Sequence, residues 1–465
     1  MTVYFFPGTC VKISFGKKTV EVQTLKRKGW LYVSIIISFY LTLFFAVGSS
    51  ASAQELELEA DAAILVEAET GKVVYEEDSH TVLPIASMTK IMTEYLVHEA
   101  VNNGEISWED EVSISDKVRQ LSLDTSLSNV PLRQDESYTV EELYKAMAIY
   151  SANGATIALA EHIAGSEGAF VTMMNEKAEE LGLQDYEFVN STGLNNRSMD
   201  GQHPEGTEAD AENLMSAEST ALLAYHLLAD YPEVLETTSI SAETFEAGPE
   251  EYIEMQNWNW MLPNGPMPYN GVDGLKTGYT DLAGNAFTGT AERDGLRYIS
   301  VVMRTDSRQA RFEETEKLLD YGFNQFTYEE VLEKGEQVEG NQTLPVLKGK
   351  EDEVTVSAGE SLSVLVQDGE SESVDVNVSL DEELINEEGA IEAPVEAGET
   401  VGYVSIAESG DNSYLHDRLG ESHRVPLVVD ESVERAGWFS LTMSSIGGFF
   451  GSLWNSAVNA VKGLF

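Results

Sequence analysis

The sequence predicts an α+β fold in which helices pack on an antiparallel sheet, followed by a small all-β domain and an amphipathic C-terminal helix. Strand patterns lie at both ends of residues 54–330 and flank a mostly helical middle. Short alternating apolar runs follow over residues 335–430, and apolar side chains recur every three or four positions over residues 436–465. With a leader over residues 1–53, the chain therefore divides into four parts.

The leader has the features of a secretory signal peptide. The basic run Lys26–Lys28 precedes the apolar stretch Leu31–Val47, and the small residues Ala51–Ala53 follow it. This order predicts export and cleavage after Ala53. The alternative is an uncleaved membrane anchor, although the apolar stretch lies near the short end of the length that spans a bilayer.

The chain carries 80 acidic and 28 basic residues, which gives a net charge of −52. Such a surface repels phosphate backbones and argues against a nucleic-acid partner. Dense carboxylates keep a surface hydrated in concentrated salt, so we interpret the charge as an adaptation of solubility. The only cysteine, Cys10, precedes the apolar stretch of the leader, and the exported protein is expected to have neither a disulfide nor a thiol nucleophile.

The predicted main domain begins with two strands, Ala62–Val66 and Lys72–Tyr75, joined by a turn. Ser87 then begins a helical pattern. A capping box at Thr139–Glu142 begins a further helix, and this helix breaks at Ser151–Gly154, where the next one starts.

Past residue 270, three strands and a helix are predicted. The strands are Gly271–Tyr279, Asn285–Arg293 and Leu296–Arg304, and the last two are joined by the hairpin signal Asp294-Gly295. The helix spans Gln309–Tyr321. Together with the first two strands they predict the antiparallel sheet of the main domain.

The terminal helix is predicted to be amphipathic, because polar residues interrupt its apolar face at every turn. This face is rich in Trp and Phe, which suit the headgroup boundary of a membrane. We therefore predict attachment to a membrane surface through hydrophobic burial. The alternative is a terminal helix that docks on the protein's own core.

Three short motifs indicate a possible catalytic site, and in chain order they are Ser87-Met88-Thr89-Lys90, Ser151-Ala152-Asn153 and Lys276-Thr277-Gly278. Each motif alone is weak, and S-x-x-K recurs at Ser14–Lys17, ahead of the apolar stretch of the leader. One class of serine acyl-transfer enzymes requires all three motifs in this order, with the first at a helix start and the last on a strand.

The motifs have a physical rationale. Residues three apart at a helix start lie on one face, so the Lys90 amine can reach the Ser87 hydroxyl. With Lys276 as a second cation nearby, Lys90 can stay neutral and accept the serine proton. The helix N-terminus places the Ser87 N–H where it could form half of an oxyanion hole. A K-T-G on an edge strand lets a peptide align beside it, with Gly278 leaving room for close approach.

With their flanking residues, these motifs resemble those of low-molecular-weight penicillin-binding proteins, the serine-type D-alanyl-D-alanine carboxypeptidases with a β-lactamase-like fold. The resemblance covers about residues 60–430 and extends to the tail helix. The stretches that carry it are Ile85–Lys90, Ser151–Ala155, Gly274–Thr280 and Leu318-Leu319 with Phe323.

The resemblance implies a role for each catalytic residue. Ser87 would be the nucleophile and Lys90 its base, while Ser151 would relay the proton to the leaving amine. The backbone N–H groups of Ser87 and Tyr279 would form the oxyanion hole. Some family members carry histidine in place of Tyr279, but only its backbone has a role.

The resemblance also implies the substrate contacts. Asn153 would hold the substrate's side-chain amide, and Lys276 and Thr277, followed by Gly278, would bind its terminal carboxylate. Arg311 matches the family's basic residue ahead of the final helix and could help to hold that carboxylate. The neighbouring arginines at positions 304 and 308 are alternatives.

The implied reaction is hydrolysis of the terminal D-Ala-D-Ala bond of peptidoglycan pentapeptides through an acyl-enzyme on Ser87, at the outer face of the cytoplasmic membrane. β-Lactam antibiotics would be covalent inhibitors. This reaction needs no metal or organic cofactor, and the seven histidines show no ligand spacing, which disfavours a zinc peptidase.

Two alternatives remain open. A serine β-lactamase has the same motifs, but it often carries a deacylating glutamate in an E-x-x-L-N loop, which residues 155–275 lack. A catalytically silent peptidoglycan-binding protein is the other alternative, and the intact Ser87, Lys90 and Lys276 argue against it.

Overall fold

A computed structural model describes residues 2–5, 10–15, 18–23 and 56–437, except for residues 368–374, 387–388, 407–413 and 417–423. The chain forms two compact units that divide after Glu57. The first unit contains three antiparallel strands in chain order: β1 (Thr2–Phe5), β2 (Cys10–Phe15) and β3 (Lys18–Gln23). The predicted apolar core of the signal peptide and the terminal helix beyond Gly437 lie outside the described residues.

The second unit begins with strands that belong to the predicted main domain. In chain order they are β4 (Ala62–Glu67), β5 (Val73–Glu77), β6 (Leu83–Pro84), β7 (Glu111–Val112), β8 (Tyr138–Thr139), β9 (Tyr186–Glu187), β10 (Leu214–Met215), β11 (Ala242–Gly248), β12 (Glu251–Gln256), β13 (Val272–Thr280), β14 (Gly284–Arg293) and β15 (Leu296–Thr305).

Helices lie mainly between these strands. They are α1 (Lys90–Asn102), α2 (Asp116–Ser122), α3 (Val140–Tyr150), α4 (Asn153–Ala164), α5 (Glu167–Glu180), α6 (Ala217–Asp230), α7 (Val234–Thr238) and α8 (Ala310–Gln325). Short 3-10 helices span Ala86–Thr89 and Asn196–Met199.

The main sheet is antiparallel, with strand order β13-β14-β15-β4-β5. Successive side chains of a strand point to opposite faces of the sheet, so β15 contributes side chains to both faces. Ile299 and Val301 pack in the core with residues of α6, whereas the Tyr298 ring meets Phe323 of α8 edge to face. The α+β fold with helices on an antiparallel sheet is confirmed, and β13 lies at its open edge.

The helical middle has its own core. Helices α3 and α4 contribute many of its side chains, such as Leu143, Met147 and Ile157. The predicted capping box begins α3, because Thr139 Oγ1 accepts from the Glu142 N–H at 3.2 Å while Glu142 Oε2 accepts from the Thr139 N–H at 2.8 Å. The end of α3 and the 3-10 helix at Ala86–Thr89 both contribute residues to the lining of one cleft.

A β-rich region follows α8. Its strands are β16 (Phe326–Leu332), β17 (Thr343–Leu347), β18 (Glu353–Ala358), β19 (Leu362–Gln367), β20 (Val376–Leu380), β21 (Ile391–Glu392), β22 (Thr400–Ile406) and β23 (Arg424–Val429). β16 pairs with β19, and the others form a sheet in the order β20-β22-β23-β18-β17-β21. Valine and leucine side chains fill its separate core.

No helix in the described part of the chain combines the length and the apolar character that a membrane crossing requires.

Candidate active site

The three sequence motifs meet at one cleft of about 840 Å³. Its lining includes Ser87 from the first motif, Ser151 and Asn153 from the second, and Thr277 and Gly278 from the third. The two motif lysines lie beneath this surface, with Lys90 fully buried and Lys276 only 2% exposed. Hydroxyl and amide groups are therefore part of the cleft lining, whereas both lysine side chains are buried beneath it.

The Lys90 amine makes three hydrogen-bond contacts. Its Nζ lies 3.1 Å from Ser87 Oγ, 2.9 Å from Asn153 Oδ1 and 2.7 Å from the Thr192 carbonyl oxygen. The first contact follows from the helix start, because the 3-10 helix at Ala86–Thr89 runs directly into α1 and keeps residues three apart on one face. The other two contacts come from distant parts of the chain and fix where the amine points.

This geometry suits a neutral amine. Two N–H groups can donate to Asn153 Oδ1 and the Thr192 carbonyl, which leaves the nitrogen lone pair to accept the Ser87 hydroxyl proton. The Lys90 pKa is held well below its usual value, first by burial and then by the positive charge of Lys276. Burial and geometry thus prepare Lys90 to act as a base toward Ser87.

Ser151 ends α3 in a left-handed conformation, with φ 60° and ψ 32°. Its Oγ is buried and has no hydrogen-bond partner among the described residues. A hydroxyl in such a position retains both its proton and its lone pairs for a ligand.

Asn153 begins the next helix, α4, and its amide links two parts of the site. Oδ1 accepts from Lys90, and Nδ2 donates to the Ser128 carbonyl oxygen at 3.0 Å. The second Nδ2 hydrogen remains available to a substrate carbonyl.

The third motif lies on β13, the edge strand, as predicted. Thr277 is 6% exposed at the cleft, whereas the Tyr279 ring is 57% exposed. A side chain at Gly278 would place its Cβ 2.7 Å from the Ile85 carbonyl oxygen. The absence of a side chain at Gly278 therefore lets the edge strand pack directly against the segment before Ser87, and the alignment of a peptide beside Gly278 stays a prediction.

The strand side of the cleft is cationic. The Lys276 pKa is lowered to about 8, mainly by burial; Glu94 raises it and Arg311 lowers it further. Arg311 is itself 2% exposed, and its Nη1 donates to the carbonyl oxygens of Gly278 and Ala286 at 3.2 and 3.4 Å. Arg311 thus joins β13 to β14 and adds positive charge beside Lys276.

The two neighbouring arginines differ in their relation to the cleft. Arg308 lines it, with its guanidinium 4.9 Å from the Trp258 ring centre and 5.9 Å from that of Trp260. Arg304 instead lies 3.3 Å from the Asp61 carboxylate and is not part of the lining. Arg308 is the alternative to Arg311 that the structure brings to the site.

Three further groups at the site were not found from the sequence. The Thr192 carbonyl belongs to the backbone and leaves no side-chain signal. Glu94 lies one turn after Lys90 on α1, a spacing that the sequence does show. Tyr144 of α3 is buried near Glu94. No group of three or more His, Cys, Asp or Glu side chains in the described residues could hold a metal ion.

The sequence of this chain matches those of known protein families. A family model described as D-alanyl-D-alanine carboxypeptidase matches residues 49–307, and one described as the C-terminal domain of penicillin-binding protein 5 matches residues 326–435. The chain is 31% identical to D-alanyl-D-alanine carboxypeptidase DacF of Bacillus subtilis, over 90% of this chain and 97% of that protein.

Solved structures give the same picture. A peptidoglycan synthesis regulatory factor (PBP3) from Streptococcus pneumoniae is 38% identical, with a TM-score of 0.71, and the match covers 81% of this chain and 99% of that one. Penicillin-binding protein 5 from Haemophilus influenzae is 26% identical, with a TM-score of 0.61 and coverages of 82% and 98%.

Proposed function

The chain belongs to the D-alanyl-D-alanine carboxypeptidase family of serine-type hydrolases, which act on peptidoglycan, and we propose that Ser87 carries its acyl-enzyme. The observation that supports this assignment best is the 3.1 Å contact between Ser87 Oγ and the buried amine of Lys90. A neutral amine at this distance can take the hydroxyl proton as Oγ attacks a carbonyl carbon.

The proposed reaction gives each group the role that the resemblance to the family implies. The Ser87 Oγ adds to the carbonyl carbon of the penultimate D-alanine, and its proton passes to Lys90. The backbone N–H groups of Ser87 and Tyr279 hold the resulting oxyanion. Ser151, whose Oγ is free of protein partners among the described residues, passes a proton to the leaving amine. D-alanine departs, and water then hydrolyses the ester on Ser87.

Substrate binding is assigned to other residues of the cleft lining and to the lysine beneath it. We propose that the terminal carboxylate of the peptide pairs with Lys276 and Thr277, with Arg311 or Arg308 adding positive charge. Asn153 has one amide hydrogen left for the substrate's side-chain amide. The edge position of β13 allows the peptide backbone to align beside Gly278 and Tyr279.

Release of D-alanine from a synthetic pentapeptide that ends in D-Ala-D-Ala tests the proposal. The wild type should release D-alanine, and Ser87→Ala should release none. Relatives of this chain are named penicillin-binding proteins, so a fluorescent penicillin should form a long-lived covalent adduct. After proteolysis, the adduct should be found on the peptide that contains Ser87. The Ser14→Ala variant, at the other S-x-x-K, should behave as wild type.

The same assay separates the alternatives. Rapid turnover of penicillin without a lasting adduct would favour the β-lactamase. The absence of both an adduct and D-alanine release would favour a silent peptidoglycan-binding protein. An adduct on a peptide without Ser87 would overturn the site assignment.

Export by the leader and membrane attachment by residues 436–465 are also proposed, on the sequence pattern alone. Truncation after Gly437 should release active enzyme from vesicles, whereas full-length protein should float with them in both low and high salt. Gly437 is the appropriate end point, because Val433 is 4% exposed and its N–H donates to the Val395 carbonyl. A full-length protein that stays in solution would contradict the anchor.

A further inference from the structure

A buried loop at residues 190–194 lies against Lys90, and no side chain of this loop has a part in the reaction described above. The loop meets the base through its backbone, because the Thr192 carbonyl oxygen accepts from Lys90 Nζ at 2.7 Å. Asn190 and Thr192 are both 0% exposed. The position of that carbonyl, and with it the direction of the Lys90 amine, therefore depends on what holds the loop.

Asn190 closes this loop with its own side-chain amide. Its Oδ1 accepts from the Thr192 N–H at 3.0 Å, from Thr192 Oγ1 at 2.9 Å and from the Gly193 N–H at 2.7 Å. Its Nδ2 donates to the Leu194 carbonyl oxygen at 2.8 Å and to Asn196 Oδ1 at 3.0 Å. Both ends of one buried amide thus hold the backbone on either side of the Thr192 carbonyl.

The peptide unit between Thr192 and Gly193 shows how Asn190 directs the base. In a planar trans peptide, the C=O and the N–H point in opposite directions. The Gly193 N–H of this unit donates to Asn190 Oδ1, so the Thr192 carbonyl is directed to the other side, where it meets Lys90 Nζ. Asn190 therefore sets, through one rigid peptide unit, the acceptor that the Lys90 amine uses.

A second buried amide, that of Asn213, ties the loop to the first motif. Asn213 is 0% exposed, and its Oδ1 accepts from the Val189 N–H at 2.7 Å and from the Asn190 N–H at 3.1 Å. Its Nδ2 donates to the Asn190 carbonyl oxygen and to Thr89 Oγ1, each at 2.8 Å. Because Thr89 directly precedes Lys90, one amide joins the base to the loop that orients it.

Gly193 brings the same loop against the segment that carries the nucleophile. Its φ is 78°, and a side chain there would place a Cβ 1.8 Å from the carbonyl oxygen of Ala86, the residue before Ser87. Because the loop packs on the backbone just before Ser87, its Thr192 carbonyl holds the amine at a fixed place relative to the nucleophile.

We infer that Asn190 is a positioning residue for the acyl-transfer reaction, because it fixes the Thr192 carbonyl that orients the Lys90 amine toward Ser87. The inference rests on the proposed function. With one N–H held by the Thr192 carbonyl and another by Asn153 Oδ1, the lone pair of the neutral amine faces Ser87 Oγ. When the first acceptor is displaced, the amine can turn, and the lone pair meets the Ser87 proton less often.

The test is stopped-flow acylation by a fluorescent penicillin at several concentrations, which separates the acylation rate constant from the dissociation constant of the complex that precedes it. Asn190→Ala should lower the rate constant about 10- to 100-fold, since a misplaced base loses much of its contribution. The dissociation constant should stay within about twofold, because Asn190 is fully buried and is not part of the cleft lining. The amplitude of labelling reports the fraction of folded molecules separately.

Asn175→Ala is the matched control, because Asn175 holds the segment that leads into the loop. Its Nδ2 donates to the carbonyl oxygens of Val171 and Phe188 at 2.8 and 2.9 Å, and its Oδ1 accepts from the Phe188 N–H at 3.2 Å. Loss of these contacts should lower the thermal unfolding midpoint. The acylation rate constant should stay within about twofold of the wild type, since the Thr192 carbonyl keeps its own support.

Thr192→Val provides a second test should Asn190→Ala fail to fold. The change removes the hydroxyl that donates to Asn190 Oδ1 and accepts from the Leu194 N–H at 3.1 Å. The carbonyl and the two N–H contacts to Asn190 Oδ1 remain. The acylation rate constant should therefore fall by less, about 3- to 10-fold, with the dissociation constant unchanged.

Two outcomes would overturn the inference. One is a smaller labelling amplitude of Asn190→Ala with a wild-type rate constant, as a purely structural role would produce. The other is an equal slowing of acylation in Asn175→Ala, which would show that any damage to the loop has the same effect. Neither outcome touches the proposed function, provided that the wild type forms the Ser87 adduct, whereas a wild type without that adduct would overturn the function itself.

Discussion

Charged side chains are held in opposite ways in the cleft and in the β-rich region. At the cleft, Lys90, Lys276 and Arg311 are each at most 2% exposed, and burial is the largest cause of their lowered pKa values. In the β-rich region, basic side chains such as Lys348 form ion pairs at the surface, where about half of each side chain meets solvent. Burial, rather than pairing, is therefore what distinguishes the lysines of the cleft and lowers their pKa values.

The largest expected effect comes from a change that keeps the charge of Lys90 but removes its ability to be neutral. Lys90→Arg should reduce the rate of acylation by penicillin about 100-fold or more, because a guanidinium stays protonated and cannot accept the Ser87 proton. Stopped-flow labelling measures this rate. Lys145→Arg is the control, because Lys145 is a partly buried lysine that forms an ion pair with Glu141. This variant should be labelled at the wild-type rate. Near-normal labelling of Lys90→Arg would move the base to another group, most plausibly Ser151.

A smaller effect should follow from pH. Lys276 must be charged to bind a carboxylate, and its pKa is lowered to about 8. Because the charge is lost as pH rises through this value, acylation should fall about tenfold for each unit above it. In Lys276→Arg the guanidinium stays charged, so the fall should occur at higher pH. An unchanged alkaline limb in this variant would show that another group sets it.

Packing at the edge strand should have a moderate effect on stability. Gly278→Ala would bring a Cβ within 2.7 Å of the Ile85 carbonyl oxygen, and relief of this contact should lower the free energy of unfolding by about 1–3 kcal/mol. Urea denaturation measures it. Gly168→Ala is the control, since its Cβ would meet nothing within 4 Å and its helical backbone favours alanine. Equal stability of Gly278→Ala and wild type would contradict the observed close approach.

The smallest effect is expected in the β-rich region. Lys350 forms an ion pair with Glu434, and both side chains are exposed. Solvent and salt screen such a pair, so Lys350→Gln should leave the thermal unfolding midpoint unchanged. A clear drop in the midpoint would show that surface pairs matter here as much as buried charges.

Much of the site could be predicted because its geometry is local. Ser87 and Lys90 lie three apart at a helix start, the Thr139 capping box begins α3, and the Asp294-Gly295 turn joins two strands, so each pattern carries its own structural consequence. The β4-β5, β13-β14 and β14-β15 pairings of the main sheet are local in the same way.

What could not be predicted depends on contacts between distant segments. The carbonyl of Thr192 reaches Lys90 across 102 positions of sequence, and a carbonyl gives no side-chain signal. Glu94 was visible at helical spacing from Lys90, but α1 is buried on nearly all sides, so periodicity could not show which face met Lys276. In the β-rich region, β17 contains Pro345, a residue uncommon in strands, so its sequence gives only a weak strand signal.

The protonation state of Lys90 at neutral pH tests the central claim most directly. Side-chain NMR of lysine labelled with carbon-13 at Cε can report it, with the Lys90 signal assigned by its loss in Lys90→Arg. We predict that the Lys90 Cε signal has the shift of a neutral amine at pH 7, while surface lysines such as Lys350 show ammonium shifts. An ammonium shift for Lys90 that persists to about pH 10, near the ordinary lysine pKa, would contradict the account.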